Sequence, residues 1–161
     1  MRKIFFVGLT VAAAFALESL LARVLGPWGK PNFFILLIVF FNLFWGIRYS
    51  LLAACGAGVI LDSFSAGVVG VNIFSFVTCA YLTTFLKWYF YRAGSKSFRI
   101  AMVFLISIIN VYLHFLLARI LYPSGHIVLS ARIFFSEVFL TTVLTHTTFM
   151  NLKRCALKYF V

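Results

Sequence analysis

The chain has 161 residues, of which 64% are hydrophobic and only 11% are charged. About a quarter of the residues in soluble domains are charged, so this composition excludes an ordinary soluble domain and predicts an integral membrane protein. The formal net charge of +11 does not predict nucleic-acid binding, because Lys and Arg collect on the cytoplasmic loops of membrane proteins.

The apolar stretches predict a single polytopic membrane domain over residues 1–161, an all-α bundle of six transmembrane helices. A spanning helix needs about 20 apolar residues to cross the hydrocarbon core. The predicted helices cover residues 4–25, 32–46, 48–62, 71–91, 98–122 and 130–152. The first of them follows two basic residues as a signal peptide would, but its apolar character resumes after Glu18, which predicts an uncleaved helix.

Residues 32–61 allow either one long helix or two short ones. As one helix they would be about 45 Å long at 1.5 Å per residue, which exceeds the bilayer thickness. Gly46 and Arg48 lie at the midpoint, which favours a hairpin of two short helices. Helices this short should be shielded by neighbouring helices, or the bilayer should thin around them.

The distribution of basic residues predicts the orientation of the helices. With six helices and an internal N-terminus, ten of the 14 Lys and Arg residues fall on the cytoplasmic side and four on the outer side. Five helices satisfy the positive-inside rule less well. We therefore expect both termini to lie in the cytoplasm.

This orientation brings the three acidic residues of the chain toward the outer leaflet. Ions inside the membrane are costly and normally paired, so we expect an outer-leaflet polar layer of nearly balanced charge. Its predicted members are Glu18, Arg23, His114, Arg119, Arg132 and Glu137, with Asp62 at the outer end of helix 3. The alternative is that the arginines simply extend to the outer interface, although the shorter Glu18 and Glu137 fit that explanation poorly.

Other polar residues inside the apolar helices predict packing rather than ligand binding. Asn42, Asn110 and His146 each lie alone in such a helix, where hydrogen bonds between helices are the usual role. Small residues make up "AACGAG" at 53–58, and such a face lets helix backbones approach closely. Its partner is either another helix of the bundle or a second protein.

No arrangement typical of catalysis occurs in the sequence, which has no HExxH, GxSxG or P-loop motif. Cys55, Cys79 and Cys155 form no CxxC pair, so neither a disulfide nor a metal site is expected. We expect a protein without enzymatic activity and without a cofactor.

Three sequence segments follow a recognisable order: "KPNFFILLIVFF", then "GAGVILDSFSAGVVGVNIFSF", then "CAYL" at 79–82. A proline precedes short helix 2, a Gly-rich helix 3 ends in Leu-Asp, and a small-residue turn leads to Asn72 in helix 4. This order resembles the MreD family of rod shape-determining proteins. The matching residues are Pro31, Gly58, Leu61, Asp62, Ser65, Gly70, Asn72, Ala80, Tyr81 and Leu82. The turn glycine of the family is replaced by Ala66, with Gly67 next to it, so either the turn is re-registered or its left-handed position has moved by one residue.

The resemblance implies a membrane scaffold subunit of the bacterial cell-elongation machinery in the cytoplasmic (inner) membrane. Such a subunit associates with MreC, a single-span protein with a large extracytoplasmic domain. Through MreC it joins the MreB filament, RodA and a class B penicillin-binding protein, which build lateral peptidoglycan. The fold also resembles the six-helix substrate-binding subunits of energy-coupling-factor transporters, which leaves a small-molecule-binding transporter subunit as the alternative function.

Within this resemblance, Asp62 is expected to be architectural. Its carboxylate ends helix 3 and is placed to cap helix 4, whose free N–H groups begin near Asn72. The small turn would hold helices 3 and 4 together and form a rigid outer surface on which a partner docks. A structural turn without a partner is the alternative.

Overall fold

A computed structural model describes residues 2–25, 31–64, 70–90, 96–121 and 131–160. This part of the chain forms six α-helices. Their bounds are α1 Arg2–Leu25, α2 Phe33–Trp45, α3 Ile47–Phe64, α4 Val71–Phe90, α5 Lys96–Leu121 and α6 Ala131–Phe160. The six predicted helices are confirmed.

The central element of the bundle is α2, because each of the other five helices packs against it. Around α2, neighbouring contacts run in the order α1, α3, α4, α5 and α6. Within the described residues, α1 and α6 have no pair of Cα atoms within 8 Å. The five outer helices therefore form a ring around α2 that is open between α1 and α6.

The sequence of α2 explains its central position. Twelve of its 13 residues, "FFILLIVFFNLFW", are apolar, and a helix that is hydrophobic on all sides is stable only when it is surrounded. Every residue from Phe33 to Asn42 is buried. The expectation that neighbouring helices shield the short helix is thus confirmed for α2, which is about 20 Å long at 1.5 Å per residue.

A single glycine makes the predicted hairpin between α2 and α3. Gly46 has φ +91° and ψ 177°, a conformation that is open almost only to glycine. Its N–H donates to the Phe41 carbonyl at 3.0 Å and closes the end of α2. The following helix is longer than expected, because α3 continues to Phe64 instead of stopping at Asp62.

Three helices in the described part of the chain are long and apolar enough to cross a membrane: Arg2–Val24, Ile47–Phe64 and Ser97–Leu121. The shorter α2 is apolar as well. These helices support a multi-pass membrane protein, while the crossing of all six and the cytoplasmic position of both termini remain predictions. The last helix differs from the prediction, since α6 continues beyond residue 152 through the basic segment to Phe160.

Candidate functional site

The Asp62 carboxylate at the end of α3 binds the first turn of α4. One carboxylate oxygen accepts from the N–H of Gly70 at 2.8 Å and of Ile73 at 3.3 Å. The other accepts from the N–H of Asn72 at 3.1 Å and from its side-chain amide at 2.8 Å. The first N–H groups of a helix have no partner within the helix, and Asp62 is only 3% exposed. The structure therefore contains the cap on helix 4 that its position in the sequence predicts.

The capping network continues to α5 through Asn72. Because the side-chain amide N–H of Asn72 is directed at Asp62, its amide oxygen faces His114, whose Nε2 lies 3.1 Å away. With that assignment the imidazole donates to the amide oxygen. Hydrogen bonds of Asp62, Asn72 and His114 thus connect α3, α4 and α5.

Two glycines of the family pattern have defined structural roles near this cap. Gly70 has φ +106°, a left-handed conformation that favours glycine, and it begins the turn into α4. Gly58 lies where α3 crosses α4: a Cβ atom there would be 2.5 Å from the Ile73 Cα. The left-handed role of Gly70 was not predicted, whereas close backbone approach on the small face of α3 was.

The small face of α3 is used within the bundle. Ala53, Ala54 and Ala57 are all buried, and Gly58 meets Ile73 of α4. Of the two partners that the sequence left open, the structure therefore provides the internal one. A partner protein has no access to this face in the described structure.

A second polar contact joins the beginning of α2 to α6. The Asn32 side chain caps α2 by accepting from the Ile35 N–H at 3.1 Å, and its amide donates to Glu137 at 3.1 Å. The backbone N–H of Asn32 donates to the Thr141 hydroxyl at 2.9 Å. Asn32 was not predicted as a site residue, although an Asn directly before an apolar helix is a typical N-cap signal. Pro31, which precedes it, is buried.

Hydrogen bonds between helices confirm the packing role predicted for Asn42 and Asn110. The Asn42 amide donates to the Ala80 carbonyl at 2.9 Å and to the Thr84 hydroxyl at 2.7 Å. Asn110 accepts from the Ser75 hydroxyl at 2.8 Å.

The same prediction is wrong for His146. Its side chain is exposed on α6, and it lines a small cavity instead of joining two helices. A lone polar residue in an apolar sequence gives no signal for the direction in which its side chain points.

The residues predicted to form an outer polar layer fall into separate groups in the structure. His114 belongs to the Asp62 network, and Glu137 binds Asn32. Glu18 lines a cleft of about 480 Å³ between α1 and the α3–α4 junction, which Asn72 also lines. We call it the outer cleft, because it lies at the end of the bundle that is predicted to face outward. The side chains of Arg23 and Arg119 are exposed, as expected for cations that extend to the interface.

The remaining predicted residues add little to a site. Tyr81 is 56% exposed on the outer side of α4, and it takes no part in the Asp62 network. Ser65 and Gly67 lie outside the described residues, as does the side chain of Arg132. The expected partner-docking turn therefore stays a prediction.

The opening between α1 and α6 forms an apolar groove of about 360 Å³. Its floor is α2 and its walls are the facing sides of the two outer helices, which carry mostly alanine, leucine and threonine. We call it the α1–α6 groove; its lining residues are Thr10, Ala13, Ala14, Leu17, Phe33, Leu37, Leu144, Thr147, Thr148, Asn151, Leu152 and Cys155.

Comparison with known proteins gives a family but no individual relative. No curated protein and no solved structure matches the chain. The family model described as rod shape-determining protein MreD matches residues 2–154. This match covers nearly all of the described helices, including the Asp62 cap and every lining residue of the α1–α6 groove except Cys155. The chain therefore belongs to the MreD family of rod shape-determining membrane proteins.

Proposed function

We propose that this protein is a non-enzymatic scaffold of the cell-elongation complex in the bacterial cytoplasmic membrane. It binds an MreC-type single-span partner and through it supports the MreB filament, RodA and a class B penicillin-binding protein in lateral peptidoglycan synthesis. Membership of the MreD family supports this role. The structural observation that carries it is the open ring of helices around α2.

The α1–α6 groove is the surface that best suits the spanning helix of such a partner. Five helices already surround α2, and one further helix between α1 and α6 would complete the ring. Ala13, Ala14, Thr147 and Thr148 line the groove walls. Small and hydroxyl side chains allow close helix packing and hydrogen bonding in lipid.

The groove is a better candidate than the small-residue face that the sequence suggested. That face is occupied by α4, and the Asp62 carboxylate is fully engaged by the cap. We therefore assign Asp62 to the architecture of the α3–α4 junction. The partner's outer segment would then leave the membrane beside the end of α1 and the beginning of α6.

Cysteine crosslinking tests this proposal. In a chain with Cys55, Cys79 and Cys155 replaced by Ala, single cysteines at Ala13 and Thr147 should crosslink to cysteines in the spanning helix of the MreC-type partner. Tyr81→Cys is the matched control, because Tyr81 is exposed on α4, which lies across the ring from the groove.

A cysteine at a third position distinguishes docking in the groove from docking at the turn between α3 and α4. Ser63 is exposed at the end of α3, so a cysteine there reports docking at the α3–α4 junction. Crosslinks from Ser63→Cys alone would support the turn and overturn the groove. Failure of the partner to co-purify at all, together with normal complementation of rod shape, would overturn the scaffold function itself.

The outer cleft supports a second candidate function, that of a transporter subunit which binds a small molecule. The cleft has a volume of about 480 Å³ and presents polar groups of Glu18, Ser19 and Asn72 between apolar walls. Ligand sites combine an apolar lining with a few polar groups in this way. Such a subunit should purify with a bound small molecule and with ATPase partners, whereas the scaffold should purify without either and retain the MreC-type partner.

A further inference from the structure

A small cavity with basic walls lies at the opposite end of the bundle from the three acidic residues. It has a volume of about 150 Å³ and opens between the beginning of α5 and the second half of α6. Arg99 of α5 and His146 and Lys153 of α6 line it, together with the apolar Ile100, Phe149 and Met150.

The spacing of these residues gives the cavity a polar end and an apolar end. His146, Phe149, Met150 and Lys153 lie at positions i, i+3, i+4 and i+7 and so share one face of α6. Lys153 lies about 10 Å closer to the end of the bundle than His146, at 1.5 Å per residue. Arg99 is in the first turn of α5. Arg99 and Lys153 therefore lie at the level of the membrane interface, and Phe149 and Met150 lie below them, with His146 deepest.

No side-chain carboxylate of the chain can neutralise these cations. The chain has only three acidic residues, Glu18, Asp62 and Glu137. Glu137 is 16 residues from Lys153 on α6, which is about 24 Å along the helix, and Asp62 is bound at the other end of α4. Among the described residues none hydrogen-bonds Arg99, His146 or Lys153. Arg99 and Lys153 therefore have no acidic side chain of this chain close enough to pair with them.

We propose that this cavity binds the phosphate of an anionic phospholipid headgroup. Arg99 and Lys153 contact the phosphodiester oxygens, since a guanidinium pairs with phosphate through two parallel hydrogen bonds and an ammonium acts as a point charge. His146 donates to the glycerol ester region, and the acyl chains follow Ile100 and Met150, both of which are exposed toward lipid. Basic pockets between membrane helices bind lipid headgroups in this way.

A soluble phosphate compound has the same anionic group, so the lipid must be distinguished from it. The apolar part of the cavity favours the lipid, because a free phosphate leaves the exposed side chains of Ile100 and Met150 uncovered. Glycerol phosphate is the appropriate soluble probe, since it contains the headgroup chemistry without acyl chains.

The test measures lipid retention by the full chain purified in detergent, using native mass spectrometry. Phosphatidylglycerol should be retained about tenfold or more over phosphatidylcholine with the same acyl chains. Both lipids carry the phosphodiester, but the quaternary ammonium of choline is repelled by the positive charges of Arg99 and Lys153. The Arg99→Gln/Lys153→Gln variant should lose this preference. The matched control is Arg48→Gln/Arg154→Gln, which removes the same charge from two exposed residues that do not line the cavity.

Three results would overturn the proposal. Equal retention of the two lipids by the wild-type chain excludes a site that selects an anionic headgroup, and this arm needs no variant. Equal loss of preference in the two double variants shows that general surface charge is responsible. Competition by glycerol phosphate at the concentration of the lipid assigns the cavity to a soluble anion. If the cavity double variant does not fold, the single Lys153→Gln variant at the exposed rim replaces it.

Discussion

At the scale of single residues, the polar side chains in the described helices are placed where helices end or meet. Asp62 and Asn32 cap the beginnings of α4 and α2, while the Lys87 ammonium donates to the carbonyls of Asn42 and Leu43 near the end of α2 at 2.9 and 3.1 Å. Backbone groups without a partner are especially costly inside a bilayer. Asn32 and Lys87 therefore make the two ends of the short central helix α2 compatible with the membrane, and Asp62 does the same for the beginning of α4.

The first prediction concerns Asp62. Replacing it by Ala leaves the backbone N–H groups of Gly70, Asn72 and Ile73 and the Asn72 side-chain amide without their acceptor. The change should lower the free energy of unfolding by about 1–3 kcal/mol. Thermal unfolding in detergent measures the effect. Ser63→Ala is the control, because the Ser63 hydroxyl bonds only to the Val59 carbonyl of its own helix. An unchanged Tm for Asp62→Ala would show that the cap contributes nothing to stability.

At the scale of the helices, α3 and α4 pack most extensively against each other, because Gly58 lets their backbones approach closely. The Asp62 cap and the Gly58–Ile73 crossing lie one helical turn apart along α3. Ile73 takes part in both, through its N–H and its Cα. The cap therefore fixes the position of α4 at the point where the crossing requires it.

The second prediction compares two glycines of α3. A Cβ at Gly58 would lie 2.5 Å from the Ile73 Cα, whereas a Cβ at Gly56 would be 4.0 Å from the nearest atom, Cγ1 of Val11. Gly58→Ala should therefore destabilise the bundle by about 1–3 kcal/mol through overpacking, and Gly58→Leu more strongly. Gly56→Ala should leave stability unchanged or raise it slightly, since Ala favours the helix. Equal Tm values for the two Ala variants would contradict the close crossing.

At the scale of the whole molecule, the ends of the bundle differ in charge. The three acidic residues lie toward one end, and the cations of the α5–α6 cavity lie at the other. The positive-inside rule predicts that the basic end faces the cytoplasm. With that orientation, the proposed phospholipid site would lie in the cytoplasmic leaflet.

The third prediction is the orientation in the membrane. Reporter fusions after Lys96 and at the C-terminus should both report the cytoplasm, and a fusion after Gly67 should report the outer side, because ten of 14 basic residues then face the cytoplasm. Paired enzymatic reporters that are active on opposite sides of the membrane provide the measurement. A C-terminus on the outer side would contradict six crossings with an internal N-terminus.

The sequence by itself determined the class of protein, the six helices, the glycine hairpin at Gly46 and the cap at Asp62. Each depends on composition or on residues that are close in the chain, where apolar length, turn residues and capping signals act locally. Only the tertiary structure decided the order in which the other helices surround α2, that the small face of α3 meets Ile73, and that the ring opens between α1 and α6. The tertiary structure also decided that Asn32 contacts Glu137, which is 105 positions away in the chain. It showed that His146 lines a cavity and does not have the packing role predicted for it. These features depend on which faces of distant helices meet, and hydrophobicity on every side of a helix gives no signal for that choice.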